Sequence, residues 1–312
     1  MFVKKIFNYL THPKKIVRYF EYRKLHSAYG KKIDDEEYVK RMFKLNVGYD
    51  LDLDDPKTYN EKLQWLKLNY RNPDCVVMVD KYLSKQYVAD RIGEQYVVPL
   101  YGVWDRFDEI DFDTLPEQFV LKTTHDCGGV VVCKDKNTFN KERAKMFLEE
   151  HLKQEYFYHC REWPYKNVKP RIIAEKFMKD SNNQTEEGLT DYKFFCFDGE
   201  PKAMFIATDR ARKDAETKFD FFDMEFNHLP FTNGHPNSDK VIKKPKQFEL
   251  MIELSKKLSE GLPHVRVDFY ESEGNIYFGE LTFFHWGGFV KFDPKEWDEK
   301  FGEWINLPDK AL

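Results

Sequence analysis

Two apolar runs near the C-terminus, Val265–Glu271 and Ile276–Phe283, are separated by only a few residues that include Gly274. So short a connection forces antiparallel pairing, because parallel strands need a crossover of about a dozen residues or more. The same pattern recurs upstream. Phe119–Lys122 and Val130–Cys133 flank the polar loop Thr123–Gly129, and Asp191–Phe197 meets Ala203–Thr208 across Asp198-Gly199-Glu200-Pro201. Tyr96–Leu100 and Arg171–Phe177 read as further strands. Helical spacing runs through Lys40–Lys85, with a start signal at Thr58. It also marks Asp80–Ile92, Lys141–Glu155 and Gln247–Glu260, with Gly93 and Gly261 as stops. Hairpins interleaved with helices predict an antiparallel α+β fold rather than a doubly wound sheet.

The 312 residues are 41% hydrophobic and 17% aromatic, which excludes a disordered chain. The longest stretch without a charge is Phe226–Ser238, and it holds two His, three Asn, two Pro and a Gly. A spanning helix needs roughly 20 mostly apolar residues, so no bilayer-crossing helix is expected, and no apolar run follows the first lysines as in a signal peptide. Five Cys (75, 127, 133, 160 and 196) without C-x-x-C spacing predict neither a disulfide framework nor a zinc site, and a cytoplasmic protein.

The net charge of −4 carries no signature of nucleic-acid binding. Its distribution is uneven. Residues 1–32 hold nine Lys or Arg against one acid, Glu21, and read as two short helices broken near Thr11-His12-Pro13. Ile6, Phe7, Tyr9 and Leu10, then Ile16, Val17, Tyr19 and Phe20, interleave with the cations. Such a segment either lies on an anionic membrane face, where each cation contributes ~1 kcal/mol, or docks on the body with a solvated basic face.

The C-terminal hairpin carries the densest chemistry. Residues two apart on a strand share a face, so Arg266 aligns with Asp268, and Glu280 with Thr282. A three-residue loop, Glu273-Gly274-Asn275, sets Asp268 opposite Glu280 and Arg266 opposite Thr282. A two-residue turn would slip the register by one and split the set between faces. Facing carboxylates suit a divalent cation such as Mg²⁺, which takes hard oxygen ligands. An exposed sheet face with a cross-strand Arg–carboxylate pair fits the same spacing.

Around Lys122, a strand lysine precedes Thr123, Thr124, His125, Gly128 and Gly129. Glycine lets backbone N–H groups approach phosphate oxygens, and lysine adds a point charge; an ordinary hairpin turn has the same appearance. Neither a P-loop nor a G-x-G-x-x-G is present. Cys127 beside this loop reads as a small packing residue rather than a nucleophile. The D-x-D strings at Asp50–Asp54 and Asp111–Asp113 read as solvated loops.

In order, Asp80-Lys81…Ser84-Lys85, Val120-Leu121-Lys122 with Gly128-Gly129, Ile173-Ala174-Glu175-Lys176-Phe177, Arg266-x-Asp268 and Glu280-x-Thr282 resemble an ATP-grasp enzyme. Three strings resemble the teichuronopeptide-biosynthesis type more closely. They are Asn60-Glu61-Lys62-Leu63-Gln64-Trp65, Asp191-Tyr192-Lys193-Phe194-Phe195-Cys196-Phe197 and Gly279-Glu280-Leu281-Thr282-Phe283. That family is associated with cell-surface polysaccharide synthesis and regarded as amide-forming. The resemblance spans residues 40–305. It implies two α+β subdomains holding ATP between antiparallel sheets, divided as a basic segment 1–32, a helical region 33–115, a lid subdomain 116–178 and a metal-bearing subdomain 179–312.

The resemblance also implies site roles. Lys81, Lys122 and Lys193 contact ATP phosphates, and Thr124–Gly129, including Gly128 and Gly129, closes over them. Glu175, Lys176 and Phe177 form the adenine hinge, Met178 adds an apolar contact, and Asp180 meets the ribose. Asp268, Glu280 and Thr282 hold Mg²⁺, with Thr282 standing where most ATP-grasp enzymes have Asn. Arg266 steadies an acyl phosphate, Arg210 meets substrate, and His285-Trp286-Gly287-Gly288 shapes the acceptor pocket. The implied reaction joins a sugar acid of a surface polysaccharide or its precursor to an amino acid or amine, at the cytoplasmic face of the membrane. A glycan kinase, a glycosyltransferase and a non-catalytic nucleotide-binding adaptor are the alternatives. No base for the amine is evident.

Overall fold

The computed structural model describes residues 13–179, 189–208 and 216–309. Helices α1 (Pro13–Leu25), α2 (Ala28–Lys32) and α3 (Asp35–Asn46) lead into α4 (Tyr59–Asn69), α5 (Asp74–Val79) and α6 (Leu83–Ile92). The first of the two helices expected in the basic segment lies outside the described residues; α1 is the second.

Strands β1 (Leu100–Trp104), β2 (Phe119–Thr123), β3 (Val130–Cys133) and β4 (Ile172–Lys176) form an antiparallel sheet in the order β1-β4-β2-β3. Helix α7 (Lys141–Leu152) covers one face, seating Ala144 and Leu148 with Phe119 and Leu121. The short helix α8 (Phe157–Cys160) follows it. Because β1 pairs with β4, this small sheet takes in residues upstream of 116. The strand expected at Tyr96–Leu100 begins later. Pro99 has no N–H to donate and offers only its carbonyl, which accepts from Lys176 (2.9 Å).

The larger sheet comprises β5 (Asp191–Phe197), β6 (Glu200–Thr208), β7 (Lys218–Phe222), β8 (His228–Leu229), β10 (His264–Ser272) and β11 (Asn275–Thr282). Their order is β11-β10-β5-β6-β7-β8, all antiparallel. Helix α9 (Phe248–Ser259) packs on β5, β6 and β10. A small ribbon pairs β9 (Thr232–Asn233) with β12 (Phe292–Asp293), and α10 (Glu296–Glu303) lies against α4. The α+β reading therefore holds, with one sheet small and one large.

Helix α4 starts where its capping signal predicts. Thr58 accepts from Glu61 N–H (3.2 Å), and the Glu61 carboxylate accepts from Thr58 N–H (3.0 Å). Tyr59 then enters a core of Phe195, Phe197, Phe292 and Phe301, and its hydroxyl meets His264 Nε2 (2.9 Å). The helix expected from Asp80 starts later, because Asp80 acts as a cap. Its carboxylate accepts from Tyr82 and Leu83 N–H (2.8 and 3.3 Å), and regular helix begins at Leu83.

The C-terminal hairpin corrects one expectation and keeps its outcome. Ser272 pairs with Asn275, so the loop is the two-residue turn Glu273-Gly274, both at positive φ (53° and 76°). That turn alone would place Asp268 opposite Gly279. Instead Gly279 is left as a bulge on β11, and the register shifts between Asp268 and Phe269. Asp268 consequently faces Glu280, and Arg266 faces Thr282. A Cβ at position 279 would sit 3.0 Å from the Tyr270 ring and 3.1 Å from the Asp268 carbonyl, which favours glycine there.

Deleting Gly279 would remove the bulge and leave Glu280 directly opposite Asp268, so the charged set keeps its face. Gly279→Val, by contrast, must displace the Tyr270 ring or the Asp268 carbonyl and should cost about 1–3 kcal/mol in urea unfolding, the scale of overpacking. A Gly279→Val variant as stable as wild type would show that close approach is not what selects glycine there.

Candidate functional site

Strand β10 lies between β11 and β5, so Asp268 meets Glu280 on one side and Lys193 on the other. Arg266 joins them. Its Nε and Nη2 donate to the two oxygens of Asp268 (2.7 Å each), and Nη2 also reaches Glu280 (2.9 Å) and Thr282 Oγ1 (3.0 Å). Lys193 Nζ bonds Asp268 and lies 3.3 Å from Asp191. Thr282 donates to Glu280 (3.2 Å). Nη1 of Arg266 donates to His285 Nδ1 (2.7 Å), which fixes the proton of His285 on Nε2, facing Asn233 Oδ1 (3.1 Å). Burial, helped by Arg266 and Lys193, holds His285 well below its ordinary pKa, so the ring is neutral.

Burial alone would raise the Glu280 pKa, but Lys193, Arg266 and Lys81 outweigh it and hold the acid down at about 2. Among the described residues, Asp191, Asp268 and Glu280 gather around Arg266 and Lys193. The Glu280 side chain remains 44% exposed. Among the described residues, no group of three or more His, Cys, Asp or Glu side chains is gathered so as to hold a metal by itself. The donor set is hard, oxygen-only and incomplete. It fits Mg²⁺, which binds through one or two carboxylates and completes its shell with substrate phosphates and water.

A second charged group lies on the small sheet. The buried Glu175 carboxylate is shared by Lys85 on α6 and Lys122 on β2, each at 2.6 Å. Burial would raise its pKa, yet Lys122 and Lys85 together bring it to about 2. Lys81 bonds the Asp126 carbonyl, and its N–H donates to the Thr124 carbonyl (3.1 Å). The loop closes on itself: Thr123 N–H donates to Gly129 O (2.9 Å), and a Cβ on Gly129 would overlap Thr123 Oγ1 at 1.8 Å. Asp126 bonds both Thr123 and His151 of α7. The Thr124 hydroxyl is occupied with Lys169 O (3.1 Å) and Arg171 N–H (3.2 Å), so this side chain anchors the loop. Gly128, at φ +98°, and Cys127 are exposed.

Lys81 and Cys127 bring this loop within electrostatic reach of Glu280. Glu280 is held down partly by Lys81, and the Cys127 thiol is pushed up by burial and by Glu280. The raised pKa disfavours the thiolate, but Cys127 is exposed, which corrects the expectation that it is a packing residue. Lys176 continues β4 into half-buried Phe177 and Met178, and Lys179 O accepts from Ser272 of β10 (2.6 Å), joining the sheets. Asp180 and Arg210 lie outside the described residues. The D-x-D strings are turns: Asp52 caps Asp54 and Asp55 N–H, and Asp111 caps Asp113 N–H.

Several site residues escaped sequence reasoning. Gln64 donates to the carbonyls of Gly287 (3.1 Å) and Gly288 (2.8 Å), and buried Lys67 donates to Gln64 Oε1 (2.8 Å) and Gly287 O (2.5 Å). Asn60 bonds Asp298 and Val290 O. These three hold the turn after β11 against α4, where a Cβ on Gly288 would lie 2.4 Å from Gln64. Polar residues at i, i+4 and i+7 on one buried helix face were the available signal. Lys85 and Asn233 had no such pattern.

A profile described as TupA-like ATPgrasp matches residues 61–306. Among solved structures, the chain is similar to the D-alanine–D-alanine ligase from Bacillus anthracis complexed with ATP. Identity is 17% and the TM-score 0.38, over 66% of this chain and 53% of that one. It is also similar to the D-alanine–D-alanine ligase from Helicobacter pylori (15%, TM-score 0.43, 80% and 70%). A third similar structure is the ATP-grasp ligase PsnB complexed with minimal precursor, Mg and ADP (12%, TM-score 0.37, 72% and 57%). The chain thus spans about half the length of the first of these. No curated protein matches.

The Glu175 pair predicts an acid-sensitive contribution to stability. A folded-state pKa near 2 against an ordinary 4.5 means the native state releases this proton more readily. That stability is present above pH 4.5 and fades as pH falls toward 2. Wild type should exceed Glu175→Gln by about 3 kcal/mol at neutral pH, with the gap narrowing below about pH 4.5. Urea unfolding across that range checks it; a pH-independent gap would remove the ion pairs as its cause.

Proposed function

Because the chain belongs to the TupA-like ATP-grasp family, we infer that it is an ATP- and Mg²⁺-dependent carboxylate–amine ligase working through an acyl phosphate. Its carboxylate is a sugar acid of a surface polysaccharide or its precursor, and its acceptor an amino acid or amine. The observation that carries this reading is the Arg266–Asp268–Glu280–Lys193 cluster, with Lys81 within electrostatic reach of Glu280.

A carboxylate attacking a terminal phosphate brings two anions together, so fixed positive charge is the main requirement. Asp268 and Glu280 would hold Mg²⁺, with Thr282 beside them, and the bound ion offsets phosphate charge. Lys122, Lys81 and the exposed backbone at Cys127–Gly128 suit the phosphates, and Lys176–Met178 the base. Glu175 keeps Lys85 and Lys122 aimed inward. Arg266 is placed to steady the acyl phosphate. That intermediate hydrolyses in water, and the loop pinned by Asp126 and Lys81 is suited to cover it.

The basic N-terminal segment supports work at the inner face of a membrane. Val17 and Phe20 of α1 are 69% and 65% exposed, beside exposed Arg18, Arg23 and Lys24. Among the described residues no helix is long and apolar enough to cross a bilayer. A surface contact fits that composition.

With ATP, Mg²⁺, D-glucuronate or D-galacturonate and a panel of amines, the protein should release ADP and inorganic phosphate. Asp268→Asn and Glu280→Gln should each reduce the rate ~100-fold or more, the scale of removing a fixed charge-stabilising group. Phosphorus NMR that shows a phosphomonoester instead of free phosphate would replace the ligase with a kinase. Separately, the protein should co-sediment with phosphatidylglycerol-containing vesicles at low salt, and a Val17→Glu/Phe20→Glu variant should stay in the supernatant. Equal sedimentation of the two would remove α1 from the contact.

A further inference from the structure

Trp286 is an indole that no step above uses, and its backbone conformation is costly for a large side chain. It is 43% exposed, and its backbone is left-handed (φ 51°, ψ 24°), a region that bulky residues rarely enter. Both neighbours are fixed. His285 lies between Arg266 Nη1 (2.7 Å) and Asn233 Oδ1 (3.1 Å). Gly287 donates its N–H to Phe284 O (2.7 Å), and its carbonyl accepts from Gln64 (3.1 Å) and Lys67 (2.5 Å). The fold also makes room for the ring. A Cβ on Gly234, at φ +84°, would lie 2.8 Å from the indole Nε1 and 3.0 Å from Cε2. Glycine or asparagine would form the same turn at less cost, so Trp286 is kept for its ring.

Strand register sets this ring on the side of the large sheet that carries the acid cluster. Directly opposite residues share a face, and Asp268 pairs with Lys193, Lys193 with Phe205, and Phe205 with Phe221. Phe219, two residues before Phe221, shares that face. The indole lies nearly parallel to the Phe219 ring (22°, centroids 6.2 Å apart), with the His235 ring 5.9 Å away. Phe219 packs on Phe205 (4.5 Å), over which the Arg266 guanidinium sits at 5.8 Å. Two routes therefore tie the indole to Arg266, one through His285 and one through the phenylalanines. Charge then narrows the ligand. Arg266 gives Nε and Nη2 to acids but turns Nη1 to the residue before Trp286, and Lys67 bonds the carbonyl of the residue after it. Cations on both sides disfavour an ammonium on the indole, which a bare ring face would otherwise suit. A ring that bears a carboxylate fits: a sugar acid lays one face of C–H groups on the indole and carries its charge toward Arg266.

We propose that Trp286 is the stacking platform for the pyranose ring of the sugar acid whose carboxylate is activated at the Arg266 cluster. The assignment rests on the sugar-acid substrate read above and names the residue that selects its ring. The His285–Gly288 stretch, expected to shape the acceptor pocket, thereby serves the acid-bearing partner.

Two variants separate the ring from the turn. Trp286→Asn removes the indole and tolerates the left-handed backbone, whereas Trp286→Phe keeps an aromatic ring. With ATP, Mg²⁺ and hydroxylamine, which captures an acyl phosphate as hydroxamate, Trp286→Asn should raise the KM for D-glucuronate about 10-fold or more, the scale of losing one ring stacked on an aromatic side chain. Its KM for ATP should stay within about twofold of wild type, and Trp286→Phe should recover most of the loss. Saturation-transfer NMR needs no turnover: wild type with Mg²⁺ and ADP should saturate the ring protons of D-glucuronate, and Trp286→Asn should not. An unchanged D-glucuronate KM in Trp286→Asn overturns the platform, as does a parallel rise in both KM values or equal saturation by the two proteins. Saturation that depends on Trp286 in a protein that forms no hydroxamate overturns the ligase reading and leaves the platform standing. A wild-type protein that neither saturates D-glucuronate nor turns it over overturns both.

Discussion

Arg266 ties Asp268, Glu280, Thr282 and His285 together. Its planar guanidinium offers five donors in a fixed fork, and here they reach both oxygens of Asp268, one of Glu280, the Thr282 hydroxyl and the His285 ring. Two buried or half-buried carboxylates at neighbouring strand positions would otherwise repel and rotate apart. A lysine could satisfy one of them but not the whole set, since its donors radiate from a single point. Much of the surrounding structure orients this fork. Asn233 holds His285, and it donates in turn to Val290 and Lys291 carbonyls. Helix α4 holds the turn that follows His285.

The division of labour between the sheets follows from their sizes. Within the large sheet β5 is buried along its whole length and β10 almost so, so the charged residues of these strands must be paired within the protein. Lys193 and Asp268 are the result. The small sheet has one face covered by α7, which seats Phe119 and Leu121, while Lys122, of the other alternation on β2, pairs with Glu175. Lys81, bonded to the loop after β2, acts on Glu280 through charge at a distance.

Fold class was legible because hairpins announce themselves: a short turn between apolar runs permits only antiparallel pairing. The juxtaposition of Asp268 and Glu280 was also legible, although through a loop one residue too long. The error was harmless because turn and bulge shift the register in opposite senses, and Gly279 could be read equally well as an ordinary strand residue. Asn233 was not legible, because its role comes from His285 and from carbonyls far along the chain. Gln64 and Lys67 left only the spacing of polar residues on one helix face, which names no partner such as Gly287. Asp80 was misread as the first turn of a helix because a capping acid and a helical acid look alike in sequence.

The Glu175 carboxylate has a further consequence. It is shared by one lysine from α6 and another from β2, which leaves one net positive charge while neither cation is without a partner before the proposed nucleotide arrives. An incoming anion must outbid this internal counter-ion at two places together. A singly phosphorylated metabolite can satisfy one lysine and leaves the other with its old companion, whereas a triphosphate chain can engage both. The carboxylate thereby sets an entry threshold, discriminating by number of charges before any shape or base is read.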